Sequence, residues 1–445
     1  MDVLNLADKI VTKAKKLGAT SADAIAIENT DFSIAVRMGK TENIERSDSS
    51  AIGLRVFIGK QKAIVSSSDL KEESLDSIVS RAVDMAKLAP KDPHTDLADS
   101  SLFAKNIDNL ELFDDYEPSA EDLIDIAKQT EDVARSVKGI TNSEGADCGY
   151  GKGKISLVTS NGFSGSYESS SFFNSVSVLA GEGTAMERDY DYSSTRHFKD
   201  LKLPEEIGKK AAELALRRLN PKSAKTGSFP VIFDRRVAKS LVGTFAGSIN
   251  GAAIARGTSF LKDSMDKNIF SSNINIVNDP LMVRGLSSKP FDAEGVEVEK
   301  LNIIDSGVLK HWLLDIRSAN QLGLKTNGCA SRGLASNPSP SSSNFYMQNG
   351  DVSPEELIGN IKSGLYVTET FGMGINTVTG DYSQGAAGFW IENGEIAYPV
   401  SEFTIAGKLQ DMFANLVAAN DLEFKYSINS PTLLVESMTV AGQES

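Results

Sequence analysis

The 445-residue chain is short of the residues from which many sites are built: it has two cysteines and only three histidines. Cys148 and Cys329 cannot form a disulfide framework, and a reducing cytoplasm is the expected compartment. His94, His197 and His311 stand far from one another and from both cysteines. A hydrolytic zinc site needs three His, Glu, Asp or Cys ligands and an open position for water, so the donor supply is thin. No stretch approaches the ~20 apolar residues of a membrane-spanning helix. The first ten residues read as an amphipathic helix with acids in its first turns, not as a secretory signal. Lys and Arg number 46 against 60 Asp and Glu, a net charge of −14. With no basic stripe, a direct nucleic-acid partner is disfavoured, because affinity for phosphate backbones comes from clustered cations. Gly-x-Ser-x-Gly is absent from any strand-to-helix turn, and no Gly-x-Gly-x-x-Gly opens a helix after a strand, which disfavours a serine hydrolase and a dinucleotide fold.

What is present has the composition of an ordinary globular protein, with 40% hydrophobic and 24% charged residues, and a length that implies more than one core. Residues 4–18 carry Leu4, Ala7, Ile10, Val11, Ala14 and Leu17 at helical spacing, with Gly18 as a left-handed cap. Short β-type runs follow at 24–27, 32–36, 52–58 and 63–66, then a helix over 70–89 that Pro90 stops. The order recurs: a helix capped by Ser119, strands at 155–160, 163–180 and 184–194 with an Asn161-Gly162 hairpin signal, and a closing helix over 204–219. Further on, hairpins are expected at 296–314 and across Asn393-Gly394, a short helix from Ser353-Pro354, a helix over 405–418 and a last strand over 432–440. The fold class is α+β, with an N-terminal half of two related helix and antiparallel-strand units and a C-terminal β-rich domain, barrel or sandwich-like, with a few helices. The expected domains are 1–110, 116–222 and 229–443.

Residues 90–125 hold eleven acids against Lys91 and Lys105 and read as a solvated, extended connector. The serine-rich loop 336–343 reads as a surface crossing with polyproline character. Around Gly372, Gly374, Gly380 and Gly385, glycine permits bulges or a close backbone approach, which suits an extended peptide lying along a strand edge. Thr379, Gly380, Asp381, Tyr382 and Gly385 are the candidate peptide or partner contacts. In Pro230–Phe260, a strand leads into a helix with Gly243, Gly247 and Gly251 at every fourth position. Each glycine costs about 1 kcal/mol of helix stability relative to Ala, and close packing against a neighbouring element is the expected compensation.

At this helix the sequence resembles the TldD/PmbA family, described as modulators of DNA gyrase and understood as peptidases. Where the TldD branch carries His-Glu-x-x-x-His, this chain has Gly243, Thr244 and Ser248, with Gly247 matching a glycine that often precedes the second histidine. That branch also takes a ligand from a cysteine near the C-terminus, and no cysteine follows Cys329. A longer likeness, to the PmbA/TldE branch, runs through GINTVTGDYSQGAAGFWIENGEIAYPVSEFTIAG at 374–407, Asp411-Met412-Phe413, Met438–Gly442 and the strand Ala51–Val56. Thr326–Ala330 departs from it, with Cys329 where many relatives have histidine.

The resemblance implies a subunit with no catalytic residues and no metal of its own. It would complete a peptide chamber with a TldD-like subunit that supplies the zinc and acts on unfolded polypeptides and peptide precursors. The alternatives are a homodimeric peptide-binding protein without a protease partner, and a metal-free hydrolase using Asp381 or Glu369 as acid–base groups.

Overall fold

The computed structural model describes residues 3–105 and 109–442; Met1, Asp2, connector residues 106–108 and the last three residues lie outside the description. Helix α1 (Val3–Lys16) buries Val3, Leu6, Ala7, Ile10, Val11 and Ala14 on one stripe. Strands β1 (Ser21–Arg37), β2 (Lys40–Ile58) and β3 (Gln61–Ser67) follow, then α2 (Glu72–Leu88). The same order returns in α3 (Ala120–Ser136), β4 (Ile140–Thr159), β5 (Ser164–Ala180), β6 (Glu187–Thr195) and α4 (Pro204–Arg217). The two units share one six-stranded sheet of order β3-β2-β1-β4-β5-β6, joined where β1 runs antiparallel to β4 from Asp23/Thr159 to Val36/Ala146. Helices α1 and α2 cover Ala24, Ile52 and Leu54, while α3 and α4 cover Ile34, Cys148 and Phe172. Across the sheet, Ile25, Leu157 and Phe163 pack on Phe291 and Val296 of the C-terminal half.

The strands are longer than the sequence pattern suggested. Residues 24–27 and 32–36 belong to one strand, and the stretch 40–49 continues β2 although every residue in it is exposed. Its ladder with β1 is a backbone property, and side-chain alternation marks a strand only where one face is buried. The acidic connector also differs from the expected solvated chain. Phe103, Leu110 and Leu112 are buried, and the Ala104, Arg284 and Ser170 amides donate to Gly295, Leu110 and Leu112 carbonyls at 2.8–3.0 Å. The segment therefore straps the sheet to the C-terminal half, using a few apolar side chains scattered among its acids.

In the C-terminal half, β7 (Gly227–Phe233), β8 (Ser363–Asn376), β9 (Asp381–Glu392), β10 (Glu395–Lys408) and β11 (Leu433–Ala441) lie in the order β11-β7-β8-β9-β10. Pairing of Thr404–Ala406 with Thr439–Ala441 closes them into a barrel. Asn393 and Gly394, both at positive φ, turn β9 into β10. The helix expected over 405–418 is confined to Leu409–Ala414. Ile405 and Ala406 are instead paired on both sides, with β9 and with β11, and two ladders outweigh a local helical period.

Where the sheet meets the C-terminal half, charge is buried. Asp23 of β1 lies 2.5 Å from both Arg55 of β2 and Arg332, and all three side chains are at most 3% exposed. These two arginines hold the Asp23 carboxyl below its usual range against the opposing effect of burial. Close by, burial and the Asp292 carboxylate push Glu294 up to about 8. Gly53 in the same seam approaches so closely that a β-carbon would stand 2.0 Å from the Leu334 carbonyl oxygen.

Candidate functional site

Helix α5 (Arg235–Ser248) begins at Asp234, whose carboxylate accepts from the Arg236 amide at 2.8 Å and from the Tyr366 hydroxyl at 2.6 Å. Its inward stripe, Val237, Ala238, Leu241, Val242 and Phe245, is buried, and Phe245 meets Phe270, Phe345 and Phe413 between the barrel and a second, five-stranded sheet. The outward side presents Ser240, Gly243, Thr244 and Gly247.

The close packing expected of the glycine stripe is not there. A β-carbon on Gly247 would meet nothing within 4 Å, and one on Gly243 would touch only Ile428 at 3.5 Å, an ordinary contact. Gly251 is tightly packed, with the Leu313 carbonyl oxygen and the Leu314 side chain each at 2.6 Å, but it belongs to a different helix. The chain leaves α5 at Ile249, and the Asn250 side chain caps α6 (Gly251–Ala255) while donating to the Pro340 carbonyl at 2.7 Å. An asparagine that binds backbone locally competes with helix continuation, which is how an unbroken four-residue spacing comes to span two helices.

The open face of α5 is the floor of a channel. Its first wall is β8, which β7 pairs only at Leu365–Val367. Among the described residues, 368–376 are laddered to β9 alone, leaving their other edge free. Two register shifts, at Val367/Glu369 and Phe371/Gly374, bend this stretch. Thr368, Glu369 and Thr370 line a cleft of ≈ 300 Å³ with Arg236 and Ser240 of α5 and Tyr190 of β6. The opposite wall is the chain around Tyr426 and Ile428. At the lip, Phe371, Met373 and Val378 are exposed. A free strand edge offers amides and carbonyls to an extended chain.

The floor offers no metal donor set. Thr244 Oγ1 donates to the Ser240 carbonyl at 2.9 Å and Ser248 Oγ to the Thr244 carbonyl at 2.8 Å, so both hydroxyls are turned back onto the helix. One glycine and two such hydroxyls do not fit zinc, which takes His, Cys or carboxylate ligands. Among the described residues no group of three His, Cys, Asp or Glu is placed to hold a metal ion. His197 faces the connector, with Nε2 2.8 Å from the Glu111 carbonyl. Burial pushes both thiols, Cys148 and Cys329, up to about 12, so neither is a ready thiolate.

The other candidate contacts separate. Thr379 and Asp381 are exposed at the β8–β9 turn, where Asp381 binds Lys408 and Thr379 at 2.5 Å, and these bonds hold its carboxyl below the usual range. Gly380 lies against Gln410 and Gly385 under the Phe371 ring. Tyr382 is 2% exposed in the hydrophobic core, which takes it out of reach of a peptide or a partner. Glu369 reaches the cleft but is paired with Arg218 at 2.7 Å, so it and Asp381 stand as two separate ion pairs and not as an acid–base couple. Sequence reasoning missed Lys239, one turn before Gly243, and the tyrosines Tyr190, Tyr192 and Tyr426 that gather beside it from two distant segments. The four-residue step from Lys239 to Gly243 was visible in the sequence; the aromatic company was not.

A double α+β unit on one sheet, set on a closed mixed barrel with an open-faced helix, defines the class of protein. Three family descriptions match along the chain: the PmbA/TldA metallopeptidase domain 1 at residues 22–86, central domain at 113–219 and C-terminal domain at 226–442. The chain is 38% identical over 441 residues to metalloprotease PmbA of Escherichia coli O157:H7, covering 98% of this chain and 96% of that one. Among solved structures, a protein of Bacteroides thetaiotaomicron described as a modulator of DNA gyrase superposes with a TM-score of 0.91 at 27% identity, over 99% of this chain and 98% of its own. TldE from Thermococcus kodakarensis shares the fold, with a TM-score of 0.87 at 20% identity over 98% and 100%. The chain belongs to the PmbA/TldD metallopeptidase family.

Proposed function

We propose that this chain is the zinc-free, TldE-like subunit of a cytoplasmic two-subunit peptidase. In this reading a TldD-like partner supplies the zinc, and the channel along α5 receives unfolded polypeptide or peptide precursor. One observation carries the reading: in a family named for metal-dependent proteolysis, the positions that match His-Glu-x-x-x-His by resemblance hold Gly243, Thr244 and Ser248, with Gly243 and Thr244 on the open face of α5 beside a free strand edge and Ser248 buried. The peptide path is kept while the chemistry is left to another chain.

The test is reconstitution. The purified chain is expected to hold far less than one zinc per molecule by elemental analysis and to leave a labelled unfolded peptide intact. Cleavage is expected when a relative bearing His-Glu-x-x-x-His is added. One tightly held zinc per chain, with cleavage in the absence of any partner, would sink the proposal. The free edge of β8 serves equally well a homodimer that captures extended peptides. Native pull-down separates the two, because recovery of copies of this chain alone supports the homodimer.

A further inference from the structure

At the head of the channel three cations of α5 and the 424–429 segment crowd together, and two of them are neutralised. Arg236 is bound to Asp189 at 2.9 Å and lies over the Tyr190 ring. Lys425 is bound to Asp191 at 2.6 Å and lies over the Tyr192 ring. Lys239 is the exception. Its Nζ sits 3.1 Å from the centroid of the Tyr426 ring, and among the described residues no carboxylate lies within ion-pair distance of it.

A half-buried ammonium beside two other cations is an unfavourable arrangement unless a counter-charge arrives. The nearby carboxylates are already engaged: Asp189 is shared by Arg236 and Arg218, and Asp191 is held by Lys425. Among the described residues no carboxylate is left to supply that charge, and a ligand in the channel is the source that fits. Lys239 stands four residues before Gly243, on the side of α5 that continues into the open floor, so whatever lies in the channel is the nearest source. Tyr190, Tyr192 and Tyr426 line the same corner, with ring centroids 6.3 and 5.8 Å apart along the row, and exclude water from part of it.

We propose that Lys239 is the carboxylate anchor of the channel, pairing its ammonium with a carboxylate of the bound extended peptide, either the C-terminal α-carboxylate or an acidic side chain. This rests on the reading of the channel as a peptide site, and it adds a polarity: the peptide lies with an anionic point at the Lys239 end.

Binding of a fluorescent, unstructured peptide lacking Asp and Glu tests it, using the full-length chain. The peptide is made with a free α-carboxylate, as its C-terminal amide, and as the amide with one internal Glu. The free acid is expected to bind about tenfold more tightly than the amide, because charge-assisted hydrogen bonds are the strong ones. Lys239→Gln should abolish that gap and Lys239→Arg should keep it. If the α-carboxylate is the ligand, the internal Glu restores nothing; if an acidic side chain is the ligand, it restores the tenfold. Burial, together with the neighbouring Arg236 and Lys425, brings Lys239 down to about 8. The preference for the acid should therefore fade as pH rises through that value, while amide binding stays level. A gap that survives Lys239→Gln, or wild-type protein that binds all three peptides equally, overturns the anchor and leaves the peptide channel standing. Failure of every peptide to bind overturns the channel and the anchor together.

Discussion

The seam under the N-terminal sheet and the channel along α5 both rely on glycine and on charge, and they use them in opposite ways. In the seam, Gly53 admits a carbonyl oxygen to within 2.0 Å of where its side chain would begin, and Asp23 is closed in by Arg55 and Arg332. In the channel, Gly247 faces empty space and Lys239 has no counter-ion among the described residues. A glycine pressed against backbone and a charge fully surrounded by its partners hold two halves together. An open glycine and an unmatched charge leave room for something else.

Removing Asp23 should show the largest effect. Asp23→Ala leaves Arg55 and Arg332 buried and facing each other, and breaking a buried ion pair from one side costs about 3–5 kcal/mol. Urea unfolding should show that loss; a loss of less than about 1 kcal/mol would mean that water compensates the arginines and that the seam is not dry. Gly53→Ala comes next, at roughly 1–3 kcal/mol, because the added methyl meets the Leu334 backbone and not a movable side chain. Gly247→Ala should have the smallest effect and the opposite sign, a gain of about 0.5 kcal/mol from helix propensity with no clash to oppose it. If Gly247→Ala destabilised the protein by as much as Gly53→Ala, the open channel face would be a packed one and the contrast would fail.

The same lesson lies within one segment of sequence. Gly243, Gly247 and Gly251 recur every four residues, and a helical wheel makes them one stripe. The Asn250 cap divides them, so that the third is clamped against Leu313 while the first two face the channel. Composition misled in a similar way over residues 90–125, where eleven acids concealed the Phe103, Leu110 and Leu112 contacts that make the segment a strap. The helix expected over 405–418 gave way to β10 because pairing partners on both sides come from parts of the chain that no local window contains.

By itself the sequence determined the amphipathic helices, the capped starts at Ser119 and Ser353, the Asn393-Gly394 turn and the lack of histidine and carboxylate at Gly243, Thr244 and Ser248. These are properties of single residues and short spacings, set by side-chain chemistry and by steric limits on φ and ψ. Only the tertiary structure decided that two units share one sheet and that, among the described residues, β8 keeps a free edge beside an open helix face and Lys239 stands without a carboxylate partner among tyrosines from remote segments. Ladders, free edges and counter-ions depend on which distant groups the fold brings within a few ångströms, and a linear pattern carries no distances between them.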